Sequence, residues 1–145
     1  MVISSVLAKG QPYFYNNEVF LLSNYPFDLE KICNMFSLNG TFTGYEKINN
    51  GHINSTLLVT TDTGNRYILQ KINKYVFKNP ENVVANARGV TEFLRKKTGD
   101  PRSALHYIAD DSGHYCHKDA WDEYWRMYDF VEAVCLEAPE SLEDF

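Results

Sequence analysis

Cysteine is scarce in this 145-residue chain, and the three present, Cys33, Cys116 and Cys135, form an odd number at wide spacing. That fits reduced thiols in a cytoplasmic protein better than a disulfide framework. Long apolar runs are missing too, and none approaches the roughly 20 residues of a membrane span. Residues 1–10 are mildly apolar but have neither a basic start nor a long apolar stretch, so no cleaved leader is expected. Positive charge is in deficit: 14 Lys and Arg stand against 19 Asp and Glu, a net charge of -5. No broad basic footprint is left for nucleic acid or an anionic membrane, although a local basic patch is compatible with the balance. Internal repeats, low-complexity tracts and flexible linkers are also lacking, so one compact domain is expected.

Aromatic residues are plentiful, with ten Tyr and nine Phe, which favours a sheet-containing fold. Residues 1–26 carry Pro12, Pro26 and Asn16-Asn17 around a short apolar run, Val19-Phe20-Leu21-Leu22, that reads as a strand or a helical turn. From Asp28 onward Leu29, Ile32, Cys33, Met35 and Phe36 recur at helical spacing, and Asn39-Gly40 stops them. Residues 41–48, 55–61 and 66–72 are β-rich, and the polar clusters 49–54 and 62–65 between them predict two hairpins. A helix is predicted over 79–97, capped by Asn79 with Pro80 at its start, with Val83, Val84, Ala87, Val90, Phe93 and Leu94 on one face. Arg95-Lys96-Lys97 complements its C-terminal dipole. Further strands are predicted over 105–109, 114–117 and 124–131, before an acidic, loosely ordered end from Glu137 to Phe145. The expected class is α+β: a curled antiparallel sheet of about five strands with one long helix packed on it, plus a short N-terminal helix.

Five segments carry a family likeness: Gly51-His52-Ile53-Asn54-Ser55-Thr56, Tyr67-Ile68-Leu69-Gln70-Lys71-Ile72-Asn73, Val76-Phe77-Lys78-Asn79-Pro80-Glu81, Val90-Thr91-Glu92 and Tyr124-Trp125-Arg126-Met127-Tyr128. In order and spacing they resemble the N-terminal lobe of the aminoglycoside phosphotransferase superfamily, nearest to its N-acetylhexosamine kinase branch. The resemblance implies an extension over 1–26, a kinase-like ATP-binding lobe over 27–140 and a tail over 141–145. It also implies a second, C-terminal lobe bearing the catalytic aspartate, the Mg²⁺ ligands and the sugar site. No His-x-Asp followed at kinase spacing by Asn occurs after Val131, so that lobe is missing from this chain.

The resemblance assigns a nucleotide site. A flap over the phosphates needs close backbone approach and small donors, which Asn50, Gly51, His52, Asn54, Ser55 and Thr56 supply. The plain alternative is an ordinary hairpin turn, for which Asn-Gly is the commonest signal. On the third strand of the lobe a kinase lysine is expected, with the residue two before it lining the adenine pocket. One alignment puts Gln70 in that position and Ile68 in the wall; a shift by one puts Lys71 there and Leu69 in the wall. The Gln70 register matches the family spacing better, and Asn86 is then expected opposite it as a hydrogen-bond partner, since Glu81 and Glu92 lie towards the ends of the helix. The backbone of Asp129, Phe130 and Val131 is expected to hydrogen-bond adenine. His114, Cys116 and His117 invite a zinc reading, which is rejected because alternation along a strand turns Cys116 away from both histidines.

The expectation is thus an ATP-binding half of a sugar kinase, inactive alone, whose full-length enzyme phosphorylates the anomeric hydroxyl of an N-acetylhexosamine. Its expected partners are the nucleotide, with Mg²⁺ held through the missing C-terminal lobe, and that lobe itself. A homo-oligomer through the exposed inter-lobe face is a further expectation. The alternative is a stand-alone, non-catalytic binding module with the same fold.

Overall fold

The computed structural model describes residues 28–48 and 53–132 in full, together with the backbone of two short strands before them. Strands β1 (Tyr13–Tyr15) and β2 (Glu18–Phe20) pair with each other antiparallel, so the run beginning at Val19 starts as strand. The remaining expectations on residues 1–27, those on Asn49, Asn50, Gly51 and His52, and those on Cys135 and the acidic end lie outside the described residues.

Helix α1 (Leu29–Asn34) begins where the Asp28 side chain accepts a hydrogen bond from the Lys31 N–H at 3.0 Å. It buries Ile32 and Cys33, and just beyond it the buried Phe36 bridges to Asp110. Strands β3 (Phe42–Ile48), β4 (Ser55–Thr61) and β5 (Arg66–Ile72) follow as consecutive antiparallel neighbours. Helix α2 (Pro80–Thr98) has the expected N-cap, with Asn79 accepting from the Asn82 N–H at 3.1 Å, and Gly99 closes the other end at φ 69°. Strands β6 (Tyr107–Ile108), β7 (His117–Lys118) and β8 (Tyr124–Asp129) complete a six-stranded sheet ordered β3-β4-β5-β8-β6, with β7 also on β8. Every pairing is antiparallel, and the class is α+β with two helices.

Each face of the sheet has its own core. Val59, Tyr67, Leu69, Trp125 and Met127 point to one side and pack with Ile32, Cys33 and Phe36 from the α1 segment. The single polar atom of the buried Trp125 is satisfied, because its Nε1 donates to Asp119 Oδ2 at 2.8 Å. On the other side Ile72, Tyr107 and Val84 of α2 form a smaller cluster that also takes in Ala87 and Tyr128.

The segment between α1 and β3 is locked onto the β4–β5 turn. The Asn39 carbonyl accepts from Thr61 Oγ1 at 3.1 Å and Thr63 Oγ1 at 2.8 Å, and the Thr41 N–H donates to Asp62 Oδ1 at 2.8 Å. Gly40, between them, has φ 99°, and a Cβ there would meet Asp62 Oδ1 and Thr63 Oγ1 at 2.6 Å. Only glycine meets both the conformation and the space.

Two expectations change. The apolar stripe of α2 is buried only at Val84; Val90, Phe93 and Leu94 are 59%, 63% and 37% exposed. The stripe outruns the sheet beneath it, since β6 is two residues long and offers Tyr107 as its buried side chain. The strand expected over 114–117 is mostly turn, because the Asp110 carboxylate takes the Ser112 and His114 N–H groups at 2.9 and 2.8 Å and leaves only His117–Lys118 to pair with β8.

Gly40→Ala is expected to lower stability by about 2 kcal/mol or more, from positive-φ strain added to the clash. Phe93→Lys is expected to change it by no more than about 0.5 kcal/mol. Urea denaturation of both variants checks the two together.

Candidate functional site

Strand alternation decides what the α2 face of the sheet presents. Along β5, Ile68, Gln70 and Ile72 face α2, whereas Tyr67, Leu69 and Lys71 face α1. Cross-strand pairing carries the same face outwards: Leu58 and Tyr128 flank Ile68, and Thr56 and Arg126 flank Gln70. The result is an aliphatic and aromatic strip beside a polar one. Burial raises the pKa of the Tyr128 phenol, with Arg126 acting in the opposite direction, so the ring is neutral at pH 7.

The polar strip is one hydrogen-bonded chain. Gln70 Oε1 accepts from Arg126 Nε at 2.9 Å and from Nη2 at 2.8 Å, and Gln70 Nε2 donates to Thr56 Oγ1 at 2.9 Å. The amide orientation is forced, because a guanidinium has only donors and must meet the amide oxygen. Arg126 Nη1 reaches the Tyr107 hydroxyl at 3.5 Å. The expected pairing of Gln70 with Asn86 is replaced by these contacts, and Asn86 is exposed on α2. Sequence reasoning missed Arg126, which stands 56 positions from Gln70. Its signal was strand register alone.

The other groups named from sequence are placed as follows. Lys71 Nζ lies 3.9 Å from Glu123 Oε2, and Lys74 shares the same carboxylate at 3.1 Å, which raises the Lys74 pKa. Glu92 pairs with Arg88 at 2.8 Å, and Glu81 is exposed in the first turn of α2. Asn54 Oδ1 accepts from the Asn73 N–H at 2.9 Å, tying the start of β4 to the end of β5. Ser55 pairs with Lys71 and Thr56 with Gln70, so of the two hydroxyls only Thr56 is on the α2 face. Gly51 and its neighbours Asn50 and His52 fall in the connection between β3 and β4, outside the described residues.

At the far end of β8 the Asp129 N–H donates to the His106 carbonyl at 3.0 Å and the Phe130 N–H to the Arg66 carbonyl at 3.1 Å. The Arg66 guanidinium sits 4.4 Å from the centre of the Phe130 ring, and His106 Nδ1 lies 2.9 Å from Asp129 Oδ2. These residues, with Val131, Arg95 and Arg102, line an open cavity of about 510 Å³ at the sheet end.

A second polar centre lies at the β6–β7 connection. Asp110, 5% exposed, accepts from the N–H groups of Ser112 and His114 and lies 3.2 Å from His117 Nδ1. Burial pushes its pKa up, but the hydrogen bonds from His114, His117 and Ser112 outweigh that, and the carboxyl ends below its usual value. Cys116 instead packs against the α2 cluster, and burial pushes its thiol up to about 11. Cys33 is pushed up to about 12 by the same cause, so neither thiol is a ready nucleophile. Among the described residues no three His, Cys, Asp or Glu side chains are arranged to hold a metal ion. No protein-family model matches the chain.

The unfolded reference for Asp110 is 3.8 and its folded pKa is lower, so its contribution to stability is complete above that value and is lost as pH falls through the folded pKa. Asp110→Asn is expected to cost about 1 to 3 kcal/mol at pH 7. It should also flatten the acid limb of the stability curve below about pH 4, where protonation of Asp110 no longer contributes. Unchanged acid unfolding in the variant would contradict this account.

Proposed function

We propose that the chain is a nucleotide-binding, kinase-like lobe of the aminoglycoside phosphotransferase type, with its closest likeness to N-acetylhexosamine kinases. The observation that supports this reading is the sheet order. The hairpin β3–β4, the central strand β5 and the last strand β8 are adjacent in that order, and α2 packs through Val84 on Ile72 and Tyr107, on the face that also carries Ile68 and Gln70. A phosphate flap, an adenine wall and a hinge need that adjacency. In this reading Ile68, Leu58 and Tyr128 take the adenine ring. The hairpin connection around Gly51, with Asn54 and Thr56, covers the phosphates.

The hinge assignment becomes narrower. With the Asp129 and Phe130 N–H groups already engaged, adenine readout falls to the Val131 N–H and to carbonyl oxygens. In this reading Mg²⁺, the catalytic base and the sugar belong to a separate C-terminal lobe. The full-length enzyme would transfer the γ-phosphoryl of ATP to the anomeric hydroxyl of an N-acetylhexosamine in the cytoplasm, by positioning and charge neutralisation. The exposed Val90, Phe93 and Leu94 on α2 are the surface offered to that lobe, or to a second copy of the chain. For the cytoplasmic assignment, the supporting facts are the sparse cysteines and the lack, among the described residues, of a helix long and apolar enough to cross a membrane.

One observation favours a second reading, a non-catalytic binding module. In the Gln70 register the strand position of the kinase lysine bears a neutral glutamine held by Arg126 and Thr56, and Glu92 is paired with Arg88. Titration of the chain with ATP and with adenosine tests the nucleotide reading. At a hundredfold excess over Kd, ATP is expected to add about 2.7 kcal/mol of stability, a rise in Tm of about 5 to 10 °C, with no phosphotransferase turnover by the chain alone. Turnover would refute the assignment of the catalytic groups to another lobe; no shift with either compound would refute nucleotide binding.

A further inference from the structure

The half-buried guanidinium of Arg126 differs from three other cations of the sheet. Arg66, Lys71 and Lys118 each have a carboxylate within 4.0 Å, on Glu132, Glu123 and Asp122. Arg126 has none among the described residues. Its partners are the Gln70 amide oxygen, which takes two of its N–H groups, the Tyr107 hydroxyl, and the Tyr107 ring, whose centre lies 6.0 Å from the guanidinium carbon. A guanidinium has five N–H donors, so two remain open. Removing a charge from water without a counter-charge is unfavourable, and a carboxylate at position 70 would have supplied one at the same distance. The amide instead orients the fork and leaves its positive charge intact. Thr56 adds to this: its Oγ1 accepts from Gln70, so its hydroxyl proton is turned to another acceptor. Arg126, Gln70 and Thr56 lie in one row across β8, β5 and β4, on the α2 face and beside the strip of Leu58, Ile68 and Tyr128.

We infer that Arg126 is the anion-binding group of this site, oriented by Gln70 and assisted by the Thr56 hydroxyl, and that it takes the polyphosphate of a nucleotide. The identity of the ligand rests on the nucleotide reading above; the anion site itself rests on the geometry of Arg126. The cation expected from the strand carrying Gln70 is supplied from the neighbouring strand. Gln70 is a positioning residue that touches the guanidinium.

Calorimetric titrations of the full chain with sodium tripolyphosphate, ATP and adenosine at one fixed ionic strength test the proposal. Arg126→Met is expected to weaken tripolyphosphate and ATP by tenfold or more and adenosine by less than twofold. Gln70→Glu serves as the second variant, because it keeps the arginine in place and gives it a counter-charge. It should raise Tm yet weaken ATP and tripolyphosphate by a similar factor, a combination that a merely structural glutamine would not produce. Tripolyphosphate binding that depends on Arg126, without adenosine binding, upholds the anion site and removes the nucleotide. ATP and adenosine binding that neither variant alters, or wild-type protein that ignores tripolyphosphate, overturns the role of Arg126 while the nucleotide reading survives on adenosine. Failure of all three compounds overturns both.

Discussion

Strand β5 has a neighbour in every direction, with β4 and β8 on its edges, the α1 cluster on one face and the α2 cluster on the other. Tyr67, Ile68, Leu69 and Ile72 are all buried as a result, so the strand reads as an almost continuous apolar run rather than an alternating one. Its register is the constraint on which the other placements depend. A slip of one residue would take Tyr67 and Leu69 out of the α1 cluster and set Gln70 against Trp125. It would also part Gln70 from both Arg126 and Thr56. Packing on one face therefore determines which polar group is presented on the other.

Much of this was legible in the residues, for local reasons. β-Branched strands separated by Asp62-Thr63-Gly64-Asn65, and a helix opened by Asn79-Pro80 and ending at the basic Arg95-Lys96-Lys97, carry their signals within a few positions. What failed depended on partners far along the chain. Periodicity identifies the stripe Val83 to Leu94 as amphipathic but says nothing of whether a strand lies beneath it, and β6 ends too soon. His114 to His117 looked like strand because its composition allows one; the competing bonds come from Asp110, which no period reports. The Gln70–Arg126 contact belongs to the same class, since only the pairing of β5 with β8 brings the two together.

The ionic groups differ in what their surroundings ask of them. Lys74 with Glu123, Arg88 with Glu92 and Lys118 with Asp122 are partly or largely exposed pairs of the kind that contributes about 0 to 1 kcal/mol. Asp110 is different: buried, it is held by backbone N–H groups and an imidazole, so its charge is balanced where it stands and the β6–β7 turn depends on it. Arg126 is balanced in hydrogen bonds at one edge of its fork and not in charge. Stability is served by the first two arrangements. The third leaves the guanidinium with no carboxylate within 4.0 Å among the described residues, and with the Tyr107 ring 6.0 Å away.

That arrangement bears on the neutral glutamine. A lysine in a half-buried strand position loses its proton more readily as water is excluded, whereas a guanidinium keeps its charge across the whole working range of pH. Placing the cation on β8 and a neutral acceptor on β5 also fixes the guanidinium plane before any ligand arrives, which removes a reorganisation step that a flexible lysine would require. On the proposed kinase-like reading, a glutamine in place of the strand lysine would not, on these grounds, empty the site of function. In that reading the charge would move by one strand, a distance of about 5 Å, and an oriented fork would replace a mobile point charge. A nucleotide held this way would be met by geometry first and by charge second, and both the catalytic and the non-catalytic readings of the lobe require that much.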